Sequence, residues 1–491
     1  MPAVPRDEGA GAPLACEAKN GVRVPSPRIH LPGSISWDDL RAELHLPGDF
    51  PAEVLAEADA AAKAPRLPDL DLVALPFLTI DPAGSLDLDQ AMHLERDGSG
   101  FVVRYAIADV GAFVTPGTAL DLETHARGET SYFPDLRVPL HPPVLGENAA
   151  SLLPDQVRPA VVWTLTLDGT GQLDTTDVRR ARVRSQRRLE YIGVQASIDD
   201  GSADDQLMLL KEIGTRRLAL ARARGAVDLP TPEQEVTDGP DGRPALAYRA
   251  PVAAEAWNAQ ISLLTGMAAA ALMLDGRIGV LRTLPPPDPQ TVASLRRSAL
   301  ALGLSWPKGT PYGDVVSGLD PAVPAAAALL ALATRLLRGA AYVAFDGTPP
   351  VQPVHSAVAA PYAHCTAPLR RLADRYVGEV CLALCAGEPV PGWARAALPQ
   401  LPAEMASADR RSHEIDRAVV DLAEAVLLAP RVGETFQAVV VESGPKGGQV
   451  QLTDPAVRAH CEAAPLPLGE RISVRLAVAD PTTRTVTFRR A

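Results

Sequence analysis

The chain has 491 residues, which at roughly 100–200 residues per domain suggests about three domains rather than one. Hydrophobic residues make up 47% and charged residues 22%, enough for a substantial core, so disorder of the whole chain is excluded. A net charge of −12 argues against a protein coated in nucleic acid, though not against a local cationic channel. The cysteines (Cys16, Cys365, Cys381, Cys385 and Cys461) are odd in number and scattered, which reads as reduced thiols rather than a disulfide framework. The N-terminus has no basic segment followed by an apolar one. The longest nearly apolar stretch, 261–274, is shorter than the roughly 20 residues of a spanning helix. The expectation is a cytoplasmic protein with no membrane contact.

Residues 1–35 are rich in Pro and Gly without sustained periodicity and read as a disordered leader. Residues 36–74 read as a short helical module, helix-turn-helix-like. Ser36 can cap SWDDLRAEL, and PAEVLAEADAAAKA starts with Pro51 in its first turn. LPFLTI, 75–80, reads as a buried strand. After an Asp-rich loop comes a hairpin, with strands at 91–95 and 101–108 and the turn RDGSG between them. Further strands are expected at 137–140 and 161–167. The run RRARVRSQRR, 179–188, carries six arginines and reads as a solvated helix or strand face. Helical spacing predicts helices over 205–224, 253–274, 324–345, 369–384 and 404–428, with PPPDP at 285–289 as a rigid connection. Past Pro430 and Gly433 the texture is short strands with Gly turns, which suits a small OB-type barrel over 432–491. Its visible aromatics are few: Phe436 and Phe488.

The densest chemistry lies in TIDPAGSLDLDQA, 79–91. A strand delivers Asp81, a Pro-Ala-Gly-Ser loop folds back, and Asp87 and Asp89 follow two residues apart. In an extended segment that spacing puts both carboxylates on one face. Hard oxygen ligands converging in this way suit Mg²⁺ or Mn²⁺ rather than zinc. The alternative is that these aspartates cap turns.

A second polar stretch is YAHCTAPLRRLADRYVGEV, 362–380. Pro368 can open a helix that places Arg370 in its first turn, where the dipole disfavours a cation. Arg370 then reads as a phosphate ligand, with Arg371 beside it, or as half of an ion pair. His364 is either a phosphate donor or a satisfied core histidine.

These segments resemble the ribonuclease II, or RNB, family. TIDPAGSLDLDQA resembles its aspartate signature. YAIADV (105–110), the stretch 131–168 beginning SYFPDLRVPL, and YAHCTAPLRRLADRYV resemble later family motifs in the right order. The resemblance implies a mixed α+β catalytic domain over 75–430 with an OB-fold RNA-binding-like domain behind it. It further implies a metal-dependent hydrolytic 3′→5′ exoribonuclease that degrades single-stranded RNA to nucleoside 5′-monophosphates. In that family the aspartates hold Mg²⁺. Asp81, Asp87 and Asp89 match three of the carboxylates and Gln90 stands at the fourth, so the implied metal set is Asp81, Asp87, Asp89 and Gln90. Asp89 and Arg370 are the implied catalytic pair. Tyr132, Tyr191, His364, Thr366, Arg370 and Arg371 are the implied RNA contacts, Tyr191 as the aromatic that stacks on the terminal base. No protein partner is implied.

The chain departs from the pattern at several points. Gln90 brings no negative charge. Ala259 and Gln260 stand where the family carries a Glu-Glu pair, Asp416 where it has a late glutamate, and Ala367 where it has Ser. The segment before residue 75 is too short for the family's two cold-shock barrels, so this is expected to be a variant without them. The departures keep a rival reading open: an RNA-binding protein with a weakened or inactive site.

Overall fold

A computed structural model of the chain describes residues 37–491, except 45, 134–135, 228, 230–232, 239–243, 250, 321–322, 453–456 and 463–464. It also describes the short paired strands Ala15–Glu17 and Arg23–Pro25. The rest of the expected leader, and the capping residue Ser36, lie outside the described residues.

The larger part of the chain is built on a closed barrel of Phe77–Ile80, Gln90–Asp97, Gly100–Ala108, Val157–Leu167 and Leu173–Leu189. The first and last strands run parallel and the others antiparallel. Period-2 alternation sorts the strand residues into two faces. Large ones (Met92, Leu94, Val103, Tyr105, Trp163, Leu165) join a core shared with the helices Asp205–Arg224, Ala253–Gly276 and Leu372–Ala386. Small ones (Ala91, Ala106, Ala108, Ala160, Ala181) form a second core with Val54 and Ala58 of the helix Ala52–Lys63.

The arginine run forms most of Leu173–Leu189, and several of its arginines are partly exposed and ion-paired. Arg180 is held by Asp109 at 2.8 Å and by Glu379, Arg182 by Asp71 at 3.1 Å, and Arg187 by Asp204 at 2.5 Å. The helix Ala253–Gly276, 24 residues, is longer than the sequence pattern indicated and is long and apolar enough to cross a membrane. Here it is a core helix, with Trp257, Ile261, Leu264 and Ala268 buried. The helix expected over 324–345 is corrected. It stops at Ala333, passes through a 3-10 turn (Thr334–Leu337), and Ala341–Asp346 pairs as a strand with Ile278–Thr283. Gly339, at φ 95°, turns the chain between the 3-10 turn and the strand, and Tyr342, Val343 and Phe345 after it favour the strand.

The two N-terminal helices serve different cores. Asp38–Glu43 brings Leu40, with Trp37 before it, against Phe133 and against Ile415 and Val419 of the helix Leu401–Leu428. Ala52–Lys63 belongs to the barrel, and its Glu57 accepts backbone N–H bonds at the start of the helix Ala119–Arg127. At the other end, residues 435–490 close into a five-stranded barrel. Phe436 and Phe488 meet edge-to-face inside it, centroids 5.9 Å apart, so neither is a surface platform.

Candidate active site

Strand ends and one loop build the site. Asp81 follows Phe77–Ile80, and its backbone N–H donates to the Leu189 carbonyl at 3.0 Å, so it sits where the parallel strand pair ends. The Asp-rich loop is pinned by Ser151, whose hydroxyl accepts from Leu88 N–H at 2.9 Å and donates to the Leu86 carbonyl at 2.7 Å. Asp87 between them turns to Arg137, 2.7 Å away, which also pairs with Glu147. Asp89 is buried, and its Oδ1 accepts from Leu369 N–H at 2.8 Å. Its Oδ2 lies 3.8 Å from Arg370 Nε.

Arg370 is not in the first turn of a helix. The helix starts at Leu372, and Pro368 lies in the turn before it, so neither residue takes its expected place. A short antiparallel contact sets the arginine instead. Thr130 N–H donates to the Arg370 carbonyl at 3.0 Å and Leu372 N–H to the Gly128 carbonyl at 2.9 Å. This brings Tyr132 into one cleft with Arg370, lined also by Glu129, Ser412, His413 and Asp416. Tyr132 in turn pairs in register with Arg137. Arg371 lines the same cleft but is buried and held twice by Asp374, at 3.0 and 2.9 Å. Asp374 also accepts from Ala367 N–H at 2.7 Å. The geometry makes Arg371 a brace for the loop. His364 takes the core-histidine alternative of its two readings. It is buried among Tyr342 and Tyr362, and its Nδ1 shares a 2.7 Å hydrogen bond with the Tyr342 hydroxyl.

A second group gathers around Tyr105. Its hydroxyl donates to Gln90 Oε1 at 2.5 Å, and Gln90 Nε2 donates to the Thr366 carbonyl at 2.6 Å. The Thr366 hydroxyl meets Ser262 at 2.9 Å, and Asn258 Nδ2 donates to the Tyr191 hydroxyl at 2.9 Å. Burial, with the charges of Asp81 and Asp89 nearby, pushes the Tyr105 phenol well above its ordinary pKa, so it stays protonated. Gln260 is also buried, and its Oε1 has no hydrogen-bond partner among the described residues.

The expected metal set is therefore not assembled. Among the described residues no group of three or more His, Cys, Asp or Glu side chains stands ready for one ion. Arg137 takes Asp87, and Gln90 is used at both ends. What remains is Asp81 and Asp89, which both act on Tyr105. Mg²⁺ is commonly held by one or two carboxylates with the rest of its shell from water and substrate phosphate, and Asp81 and Asp89 are the carboxylates that would be available to it.

Arg137, Glu147, Tyr105, Asn258 and Ser262 complete the site and went unassigned in the sequence. The last two carried a signal: four apart, they share one face of the helix Ala253–Gly276.

Comparison with known proteins places these residues in a lineage. The RNB domain matches residues 70–385, and the RNase II-type exonuclease C-terminal S1 domain matches 434–491. The exosome complex exonuclease RRP44 homolog A of Arabidopsis thaliana is 31% identical over 332 residues, 64% of this chain and 35% of that protein. Ribonuclease R of Vibrio cholerae is 27% identical over 448 residues, 83% of this chain and 53% of that protein. This chain thus spans about a third to a half of these relatives. Among solved structures, Mycoplasma genitalium RNase R in complex with ribose-methylated single-stranded RNA superposes with a TM-score of 0.81 at 19% identity, over 92% of this chain and 77% of that one. Yeast Ssd1, described as a pseudonuclease, superposes with a TM-score of 0.64 at 16% identity, over 89% of this chain and 54% of that one. With the aspartate loop, the Arg370 loop and the C-terminal barrel all falling inside these matches, the chain belongs to the RNB family.

Proposed function

We propose that this chain is a hydrolytic 3′→5′ exoribonuclease that degrades single-stranded RNA to nucleoside 5′-monophosphates and depends on Mg²⁺ or Mn²⁺. The observation that carries this reading is the meeting of Asp89 and Arg370, 3.8 Å apart, where the barrel strands end. A guanidinium there can bind a non-bridging phosphate oxygen and oppose the charge that grows on it during cleavage. Asp81 and Asp89 would hold the cation, which when bound polarises the phosphoryl group and lowers the pKa of water. Tyr132 lies along the cleft leading to Arg370 and can track the strand. Tyr191, its hydroxyl fixed by Asn258, can stack on a base without regard to its identity. Contacts to the ribose 2′-hydroxyl would separate RNA from DNA.

The test is a time course on 5′-labelled RNA with Mg²⁺, Mn²⁺ or EDTA, beside a matched DNA. The expected result is a metal-dependent ladder of labelled products that shortens with time, on RNA alone. Immediate release of a labelled mononucleotide would reverse the polarity and overturn the reading. The rival, an RNA-binding protein with a weakened or inactive site, is favoured by the uncharged Gln90 and Gln260 and by the net charge of −12. RNA retention with no ladder under any metal would select it.

A further inference from the structure

Gln90 occupies the place where a ligand was expected, but its bonds describe another task. The Thr366 carbonyl can only accept a hydrogen bond, so the end of Gln90 that faces it at 2.6 Å must be the NH₂ group. The amide oxygen then faces Tyr105, whose hydroxyl must donate, at 2.5 Å. The orientation of the side chain follows from chemistry alone, and both of its ends are committed.

The Thr366–Arg370 loop hangs from this and from several other side chains, His141 at the Leu369 carbonyl among them. Gln90 holds the Thr366 carbonyl, Asp374 holds Ala367 N–H at 2.7 Å, and Asp89 holds Leu369 N–H at 2.8 Å. Ser262 holds the Thr366 side chain at 2.9 Å. The next residue along is Arg370. The Thr366 anchor must be a donor, as must His141 at the Leu369 carbonyl and Thr130 N–H at the Arg370 carbonyl, whereas the Ala367 and Leu369 N–H groups need acceptors. A carboxylate at position 90 would set an anion against a carbonyl oxygen, with no proton between them. An aspartate, one methylene shorter, would also fall short of it.

We propose that Gln90 is a positioning residue: a neutral latch that fixes the Thr366–Arg370 loop and thereby sets Arg370 against Asp89. This rests on the proposed nuclease reading for its effect on rate, but not for its effect on the loop. The latch replaces a ligand, so the chain gains a preset arginine shelf and forgoes a charge on the metal side.

The test compares Gln90→Asp, Gln90→Glu and Gln90→Met with the parent protein. The readouts are kcat, KM, the Mg²⁺ concentration for half-maximal rate, and binding of a fluorescent oligoribonucleotide in EDTA. A latch predicts that Gln90→Glu and Gln90→Met each lower kcat by about tenfold or more, the effect of losing a buried partner. It predicts metal-free RNA binding weakened several-fold in both, with no fall in the Mg²⁺ requirement. Melting temperatures confirm that the variants compared are folded, and Gln90→Met keeps the side-chain length if Gln90→Asp does not fold. If Gln90→Asp or Gln90→Glu raises kcat or lowers the Mg²⁺ requirement, position 90 is a ligand site and the latch is overturned. If the parent cleaves no RNA, the nuclease reading fails on its own, and the metal-free binding still decides. Unchanged affinity in Gln90→Glu and Gln90→Met then overturns the latch.

Discussion

Asp89 is the residue on which the proposed chemistry turns, because it touches both the Leu369 N–H and the Arg370 guanidinium. Asp89→Asn keeps the shape and removes the charge. Its expected outcome is a loss of cleavage by at least about 10²-fold with RNA binding retained, measured on the labelled ladder and by filter binding. Near-parental cleavage would refute the role. His141 adds a pH signature. Its Nδ1 lies 3.1 Å from the Leu369 carbonyl, which only accepts, so the ring is a neutral donor. Burial pulls its pKa down to about 4 from an ordinary 6.5. The folded state therefore binds fewer protons than the unfolded state between those values, and stability falls as pH drops through that window. The loss reaches about 3 kcal/mol for this group. Denaturant melts at pH 7 and pH 4.5 measure it, and His141→Asn, which keeps a donor at the Nδ1 position, should flatten the difference. At this scale the sequence revealed the acids but not their partners. Asp87 is recruited by Arg137 from fifty positions away, and no local spacing announces that an ion pair will withdraw a carboxylate from its neighbours.

Among the elements, the helix Ala253–Gly276 does most to place the site. Asn258 and Ser262 reach Tyr191 and Thr366 from one face, and Gly266 lets the chain at Tyr362 cross directly on the helix. A Cβ at Gly266 would lie 2.2 Å from the Tyr362 ring and 2.6 Å from the Ala363 carbonyl oxygen. Gly266→Ala must therefore displace the segment that leads to Thr366. The expected cost is about 1–3 kcal/mol in thermal or urea unfolding, with weakened RNA binding beside it, whereas exposed Gly193→Ala, whose Cβ meets nothing within 4 Å, should not crowd its surroundings. A Gly266→Ala protein as stable as the parent would mean that the loop yields freely. Long amphipathic helices such as Asp205–Arg224 were legible because apolar periodicity survives any tertiary context. The segment 324–345 was not, because an alanine-rich run has the same composition whether it continues as a helix or turns at Gly339 into a paired strand. The start of the helix at Leu372 was misplaced for a related reason: Pro368 is suited to a first turn, but Asp374 and Asp89 hold the residues after Thr366 in a non-helical loop.

Across the whole molecule, the C-terminal barrel is clasped from two sides. Arg484 pairs with Glu43 of the N-terminal helix at 2.9 and 2.7 Å, and Arg335 with Glu442 at 2.7 Å. Ala328 of the helix Pro324–Ala333 packs against Val439 and Val441 of the barrel. With Phe436 and Phe488 spent on its interior, the barrel has neither ring available for base stacking, so any hold on RNA must come from charge. The strand register supplies a face for it: Arg471 and Arg475 point outward from one strand, and Arg475 stands directly opposite Arg489 on the next. Phosphate contacts of this kind are insensitive to sequence and release counterions, at a slope of about 0.7 in log K per log salt for each contact on a single strand. Replacing Arg471 and Arg475 together with alanine is expected to weaken binding of long oligoribonucleotides at low salt, equally for every sequence. The salt slope should fall by about 1.4, while binding of oligomers too short to leave the cleft around Tyr132 and Arg370 is unchanged. An unaltered slope would assign the barrel to holding the fold together, with RNA engaged by the cleft around Tyr132 and Arg370 alone.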